Sequence, residues 1–139
     1  MFQPPVPVGQ FASRCWLNHL ELRPHTLNLL LQQSFRRLFL SDDGQTESDY
    51  FARCRLLDRQ FGQLYLALPE EMAARAFEHI LQRQSVKNSF LVSGCLKGPA
   101  AKAGLYPATT LSEQLQRCWL DYFALLGQAL QHKNSAGLR

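Results

Sequence analysis

The sequence predicts an all-α protein, folded as a compact bundle of about five helices with a long loop containing glycine, proline and lysine before the C-terminal helix. Three observations support this fold class. Apolar residues recur at steps of three and four along several segments, which is the spacing of one face of a helix. The composition, 46% hydrophobic and 19% charged over 139 residues, is that of one globular domain. No short strand pattern has a second strand to pair with.

The first two helices are predicted before residue 41. A short helix near residues 12–22 is closed by Pro24, because the residue before a proline avoids helical geometry. Thr26 is expected to cap a second helix that runs to about Leu40, where the sequence SDDG at 41–44 ends it. The broad apolar side of this helix comprises Leu27, Leu30, Leu31, Phe35, Leu38 and Phe39.

The third and fourth helices are predicted to follow each other closely. The third runs from Ser48 to about Ala67, and its apolar stripe comprises Tyr50, Cys54, Leu57, Phe61, Leu64, Tyr65 and Leu68. The fourth begins at Pro69, whose fixed φ and missing N–H suit a first helical position, and Glu70 and Glu71 favour the positive end of its dipole. Its buried face is predicted to comprise Met72, Ala73, Ala76, Phe77, Ile80 and Leu81.

The last helix follows a stretch, residues 93–110, that is rich in glycine, proline and lysine. Residues 86–93 fit a helical turn, a short strand or an extended loop equally well. Thr110 and Glu113 form a capping-box pattern, which predicts the helix start, and the helix is expected to end near Gln131. Its apolar stripe comprises Leu111, Leu115, Cys118, Trp119, Tyr122, Phe123, Leu126 and Leu130.

Three regions are expected along the chain: a proline-rich N-terminal arm at 1–10, a single helical domain at 11–131 and a polar, frayed C-terminal tail at 132–139. The arm has no basic stretch ahead of an apolar run, so it does not resemble a secretory signal. No window approaches eighteen uninterrupted apolar residues, and no contact with a membrane is expected. We therefore predict a soluble, cytoplasmic protein.

Neither a cofactor nor a metal site is expected. The cysteines form no C-x-x-C pair and are predicted to be free thiols: Cys15, Cys54, Cys95 and Cys118. No two histidines have the i, i+4 spacing that presents two imidazoles on one helical face: His19, His25, His79 and His132. The glycines Gly94, Gly98 and Gly104 fit neither the P-loop nor the dinucleotide-binding pattern.

Positive charge is concentrated in one segment of a chain whose formal net charge is +4. Between His79 and Ser112 there is no Asp or Glu, and the basic residues there are Arg83, Lys87, Lys97 and Lys102. The rest of the chain carries equal numbers of acidic and basic residues. Such a segment can neutralise phosphates or an acidic protein surface, although solvated lysines also serve solubility. These four residues are the predicted partner-binding or anion-binding site.

The favoured function is that of a small, non-catalytic helical adaptor or accessory subunit acting through protein–protein contact. Aromatic residues crowd the last helix and the end of the second helix is apolar nearly all round, which favours self-association or docking on a larger subunit. The basic 83–102 segment would face an acidic or phosphate-bearing partner. The alternative is a nucleic-acid-binding regulator using the same residues, for example through a helix-turn-helix at 70–84 and 86–95 that lacks the usual glycine in its turn.

A second alternative comes from Arg14 and His19 in the sequence RCWLNH. This arrangement resembles the R-x4-6-H motif of HEPN-type ribonucleases, which are also small helical domains. The resemblance covers six residues and implies a metal-independent ribonuclease, with His19 as the general base on a 2′-hydroxyl and Arg14 stabilising the phosphorane charge. The sequence departs from the family in having Cys15 after the arginine and the motif in its first helix.

Overall fold

The computed structural model describes residues 11–18, 23–84 and 102–136, with the side chains of 134–136 left out. The helices in this part of the chain are α1 Ala12–Leu17, α2 Thr26–Phe39, α3 Asp49–Phe61, α4 Pro69–Gln82 and α5 Thr109–Ala136. The only strand-like pairing among these residues is an isolated bridge between Leu40 and Glu47. The all-α prediction is therefore confirmed. Residues 1–10, 19–22 and 85–101, on which parts of the predictions fall, lie outside the described residues.

The N-terminus of α2 differs from the prediction by one residue. His25, and not Thr26, is the N-cap: its backbone is extended, and its Nδ1 accepts a hydrogen bond of 3.1 Å from the N–H of Leu27. An N-cap side chain satisfies one of the backbone donors that have no partner inside the helix. At the other end, Ser41 donates from its N–H to the Thr46 carbonyl and closes the turn that contains the predicted stop sequence.

Helix α3 ends at Phe61, before the predicted end near Ala67, because Gly62 takes the left-handed conformation with φ of 64°. The N–H of Gln63 donates to the carbonyl of Asp58 at 3.0 Å. This hydrogen bond and the left-handed Gly62 together form a Schellman-type helix end. The predicted stripe beyond this point is therefore wrong. Leu64 lies in the loop and is 89% exposed.

The loop between α3 and α4 is held by one buried carboxylate. Asp58 is only 3% exposed, and its oxygens accept hydrogen bonds from the N–H groups of Leu66 and Ala67, both at 2.9 Å, and of Tyr65 at 3.3 Å. Burial opposes ionisation, but these three backbone donors hold the pKa of Asp58 below its usual value. The loop then delivers Pro69 to the first position of α4, as predicted.

Helix α5 begins and ends outside its predicted bounds. Thr110 lies inside the first turn, so the predicted capping box is wrong; the first helical bond runs from the Ser112 N–H to the Ala108 carbonyl at 2.9 Å. The helix continues to Ala136, past the predicted end near Gln131. Pro107 precedes this start and is buried.

The core lies where α2 and α4 pack against the first half of α5, with α1 placed against α4 and α2. Three rings from α1 and α2 stack on one another: the ring centroids of Trp16 and Phe39 are 5.9 Å apart, and those of Phe35 and Phe39 are 6.3 Å apart. The cluster is completed by apolar residues from all of the longer helices, among them Leu38, Tyr50, Cys54, Met72, Ala76, Ile80, Leu115 and Trp119. The predicted inward positions Met72, Ala76 and Ile80 are confirmed.

The structure also bears on the cysteines and on membrane-spanning helices. Cys15, Cys54 and Cys118 are buried thiols that form no disulfide, as predicted, whereas Cys95 lies outside the described residues. Among the helices described, none combines the length and the apolar character that crossing a membrane requires.

Candidate functional site

Two of the four residues of the predicted basic site lie in the described part of the chain. Arg83 follows the last turn of α4 as its C-cap, and Lys102 lies ahead of α5; both are exposed, while Lys87 and Lys97 fall in the segment that is not described. His79, four residues before Arg83, stacks on Tyr106, four residues after Lys102, with ring centroids 5.2 Å apart. In the sequence, each of the two basic residues thus lies four positions from a ring of this contact. We call this region, marked by Arg83 and Lys102, the basic end.

The two cations of the basic end form no ion pair within the described part of the chain. In the residues that the structure describes, the ion pairs are Arg14 with Glu70 and Arg55 with Glu47, and neither involves Arg83 or Lys102. Cations that have no carboxylate beside them in the described part of the chain are available to an external anion. The basic end is therefore one candidate contact surface.

A buried histidine lies beneath the basic end. His79 Nδ1 is 3.2 Å from the hydroxyl of Ser112, and that hydroxyl donates to the Pro107 carbonyl at 3.3 Å. We assign the proton to Nδ1 of His79 on this ground, since the serine oxygen then accepts it. Burial, with the charge of Arg83 as a smaller cause, lowers the pKa of His79 and keeps the imidazole neutral at pH 7.

This Ser–His pair has the composition of a nucleophile and its base, but its burial points to a structural role. Ser112 is 1% exposed, so a substrate cannot reach its oxygen. The pair instead joins α4 to the first turn of α5. Sequence reasoning treated His79 as one of several scattered histidines, because its partner lies 33 residues away in the chain.

A second buried polar cluster joins α3, α4 and the loop between them. The guanidinium of Arg75 donates to the Leu66 carbonyl and lies 3.8 Å from the sulfur of Cys54. Burial raises the pKa of the Cys54 thiol, and the charge of Arg75 only partly opposes this effect. Because the thiolate is the reactive form, Cys54 is not placed as a nucleophile. The predicted core role of this cysteine is confirmed by its complete burial.

Two open cavities flank the helices. One, of about 540 Å³, lies near the starts of α3 and α5, and its charged lining is balanced: Arg37, Asp42, Asp49 and Arg53. The other, of about 660 Å³, lies along α4 and is mainly apolar, with Phe77, Leu81 and Leu105 on its walls and Glu71 and Glu78 among its polar groups. Within the described residues no three His, Cys, Asp or Glu side chains lie close enough together to hold a metal ion.

From Leu120 onward, α5 presents an exposed apolar face. Leu120, Phe123 and Leu130 are 46%, 47% and 54% exposed. With Gly127 they follow steps of three, four and three, so these four residues lie along one side of the helix. We call them the α5 stripe. Phe123 contacts Phe77 of α4, with ring centroids 5.5 Å apart, so the stripe runs beside α4 at this level.

Comparison with known protein families decides where the chain belongs. The profile of the family described as Large polyvalent protein-associated domain 1 matches residues 57–130, more than half of the chain. The chain belongs to this family. No curated protein and no solved structure gave a match.

The Large polyvalent protein-associated domain 1 match covers both kinds of candidate surface. It begins in α3 at Leu57 and ends in α5 at Leu130, so it contains the groove along α4, the basic end and the entire α5 stripe. Helices α1 and α2 lie before the matched residues. Whatever properties the family domain has in common are therefore to be sought in α4, α5 and the segment between them.

The residues of the ribonuclease-like motif lie before the match. Arg14, on α1, forms an ion pair with Glu70 at the start of α4, which gives its guanidinium a partner within the fold. His19 lies outside the described residues. The structure thus accounts for Arg14 through helix packing.

Proposed function

We propose that this Large polyvalent protein-associated domain 1 chain is a non-catalytic contact module, an adaptor or accessory subunit that works by binding other macromolecules. One observation carries the proposal: the α5 stripe leaves three large apolar side chains about half exposed on a helix that continues past the helices covering its first half. Fully burying a large apolar side chain contributes roughly 1.5–3 kcal/mol, and covering the exposed half of one contributes about half of that, so a partner chain gains binding energy from this face.

The basic end supplies a second contact. Helices α4 and α5 run in opposite directions, since His79 meets Ser112 near one end while Phe77 meets Phe123 further along α5. The basic end and the α5 stripe therefore lie at opposite ends of the α4–α5 pair. A chain with this arrangement can hold one partner through apolar contact and an acidic or phosphate-bearing surface through Arg83 and Lys102, joined in sequence by Lys87 and Lys97.

The wording of the family description favours a protein as a partner of this chain. Its wording names an association with large polyvalent proteins. We propose that a protein of this class, in the same cytoplasmic compartment, presents the acidic surface. No catalytic step and no cofactor are assigned to the module. RNA cleavage that His19→Ala abolishes would contradict this assignment.

The test is site-specific photocrosslinking of the full chain in its native cell. A photoreactive phenylalanine derivative at position 130, on the α5 stripe, is expected to capture a protein, whereas the same group at position 128 is expected to capture none. Gln128 is exposed and is turned about 100° from Gly127 around the helix. No protein captured through position 130, or equal capture through both positions, would overturn the proposal.

A nucleic acid is the second candidate for the basic end, favoured by its lack of ion pairs among the described residues. Binding of duplex DNA and of single-stranded RNA is measured by fluorescence anisotropy at about 50 and 200 mM salt, because affinity that rests on phosphate contacts falls as salt rises. A chain with Arg83, Lys87, Lys97 and Lys102 all replaced by Ala is the control. Salt-sensitive binding lost in this variant would favour nucleic acid over an acidic protein.

A further inference from the structure

The spacing of the residues in the α5 stripe is the same from both ends. Leu120 and Leu130 lie five residues before and after position 125, and Phe123 and Gly127 lie two residues before and after it. A surface of this kind is complementary to itself when one copy is turned through 180° about an axis passing beside position 125. Two-fold pairing is the commonest symmetry of protein dimers.

We infer that a second copy of this chain occupies the α5 stripe, with the two helices antiparallel. The inference rests on the proposed function in taking the stripe as a contact surface. In this pairing Phe123 of each copy packs over Gly127 of the other, and Leu120 of each packs beside Leu130 of the other. A large side chain is thereby placed opposite the smallest residue on both sides of the axis.

Gly127 is the independent observation behind this assignment. A glycine inside an exposed helix costs about 1 kcal/mol relative to alanine. Nothing in the described part of the chain requires it, because a Cβ built at Gly127 meets no atom there within 4 Å beyond the helix's own backbone. A glycine at this position would let an aromatic ring from a second chain lie directly against the helix backbone.

The opposite orientation fits less well. Parallel helices would place Phe123 against Phe123 and Gly127 against Gly127, which crowds one level of the interface and leaves a gap one turn later. The only charged residue between Leu120 and Leu130 is Asp121, which a step of about 100° turns away from the stripe. The antiparallel contact is therefore apolar throughout.

The expected dimer is weak and reversible. Positions 120 to 130 span about 15 Å along a helix, which places the interface at the small end of specific interfaces, with a dissociation constant on the order of 10 µM. Sedimentation equilibrium of the full chain, over concentrations on both sides of this value, is the direct measurement. A wild-type chain that stays monomeric across the range would overturn the inference.

The decisive variant is Gly127→Leu, with Gln128→Leu as its matched control. Leucine at 127 fills the space that receives Phe123 and is expected to weaken dimerisation at least tenfold, whereas leucine at 128 should leave it unchanged. Both substitutions favour the helix, so loss of folding cannot explain a monomer; circular dichroism checks this. Equal dimerisation of Gly127→Leu and the wild-type chain would overturn the inference.

Orientation is tested with a short dimaleimide, which bridges two thiols. In a Cys95→Ser background, Leu120→Cys mixed with Leu130→Cys is expected to cross-link, whereas each alone is not. In the antiparallel pair equivalent positions lie about 15 Å apart along the helices. Cross-linking of each variant with itself would overturn the antiparallel arrangement. If photocrosslinking at 130 captures a different protein while the chain remains monomeric, the proposed function stands and the second-copy inference fails.

Discussion

The two halves of α5 have the same kind of sequence and opposite surroundings. In the first half, Leu115 is fully buried and Trp119 nearly so, both in the core formed with α2 and α4. In the second half, Phe123 and Leu130 are about half exposed. Both halves have apolar residues at steps of three and four. The spacing of apolar residues identifies which face of a helix is apolar, and the neighbouring helices decide whether that face is covered.

The lengths of the helices explain why α2 and α4 do not cover the whole of α5. Helices α2 and α4 have 14 residues each and α5 has 28. At about 1.5 Å per residue the covering helices are about 21 Å long and α5 is about 42 Å long. A helix twice as long as its neighbours leaves much of its second half without a covering helix among the described residues. The following predictions test this contrast in order of decreasing effect.

The largest effect is expected in the covered half. Leu115→Ala removes a fully buried side chain and should lower the free energy of unfolding by about 2–5 kcal/mol, through lost burial and the cavity left behind. Leu130→Ala in the exposed half should change it by less than about 0.5 kcal/mol. Urea denaturation of dilute, monomeric protein compares the two. Similar losses in both variants would contradict the contrast between the halves.

The next effect concerns the loop that positions α4 over the covered half. Asp58→Ala leaves three backbone N–H groups without their acceptor and should lower the free energy of unfolding by about 2–3 kcal/mol. The rates of amide hydrogen exchange at Leu66 and Ala67 should rise in the same variant. The control is Asp43→Ala, which removes an exposed carboxylate from another turn. Unchanged exchange at these two amides would show that the carboxylate does not hold the loop.

A smaller, pH-dependent effect is expected where α4 is joined to the start of α5. The pKa of His79 is lowered in the folded chain, so the unfolded chain binds the proton more readily. The stabilising contribution is complete above pH 6.5 and is lost as pH falls through the folded pKa. Denaturation at pH 7.5, 6.5 and 5.5 should show stability falling more steeply in the wild-type chain than in His79→Gln. Parallel pH profiles would contradict this.

The smallest effect is expected in the exposed half, with the opposite sign. Gly127→Ala should raise the free energy of unfolding by about 0.5–1 kcal/mol, because alanine favours the helix and its Cβ meets nothing among the described residues. Thermal denaturation of dilute protein measures the gain. Gln128→Ala is the control and should change stability less. A loss of stability in Gly127→Ala would show that the fold itself needs this glycine.

Several features of the fold were predicted correctly from local signals. The start of α4 at Pro69 follows from the fixed φ of proline, and the burial of Met72, Ala76 and Ile80 follows from their spacing. The predicted end of α3 was wrong because an apolar pattern continued past Gly62, whose left-handed conformation ends the helix. A glycine in that position was the available signal.

The candidate site was predicted less completely. The charge map identified Arg83 and Lys102, which the structure leaves exposed, and it left Lys87 and Lys97 as predictions outside the described residues. It did not find the contact between His79 and Ser112, because the two lie 33 residues apart. The apolar spacing predicts the helix and includes Phe123 and Leu130 in its apolar stripe. The place of Gly127 on an exposed face is shown only by the structure.

The sequence by itself determined the helical class, the face of each helix that is apolar and the segment without acidic residues, because these depend on residue types at short spacing. Tertiary structure decided which half of α5 is covered, which histidine is buried and which carboxylate holds a loop. These outcomes depend on the lengths of helices that meet in space and on contacts between residues far apart in the chain. Local pattern carries no information about such distances.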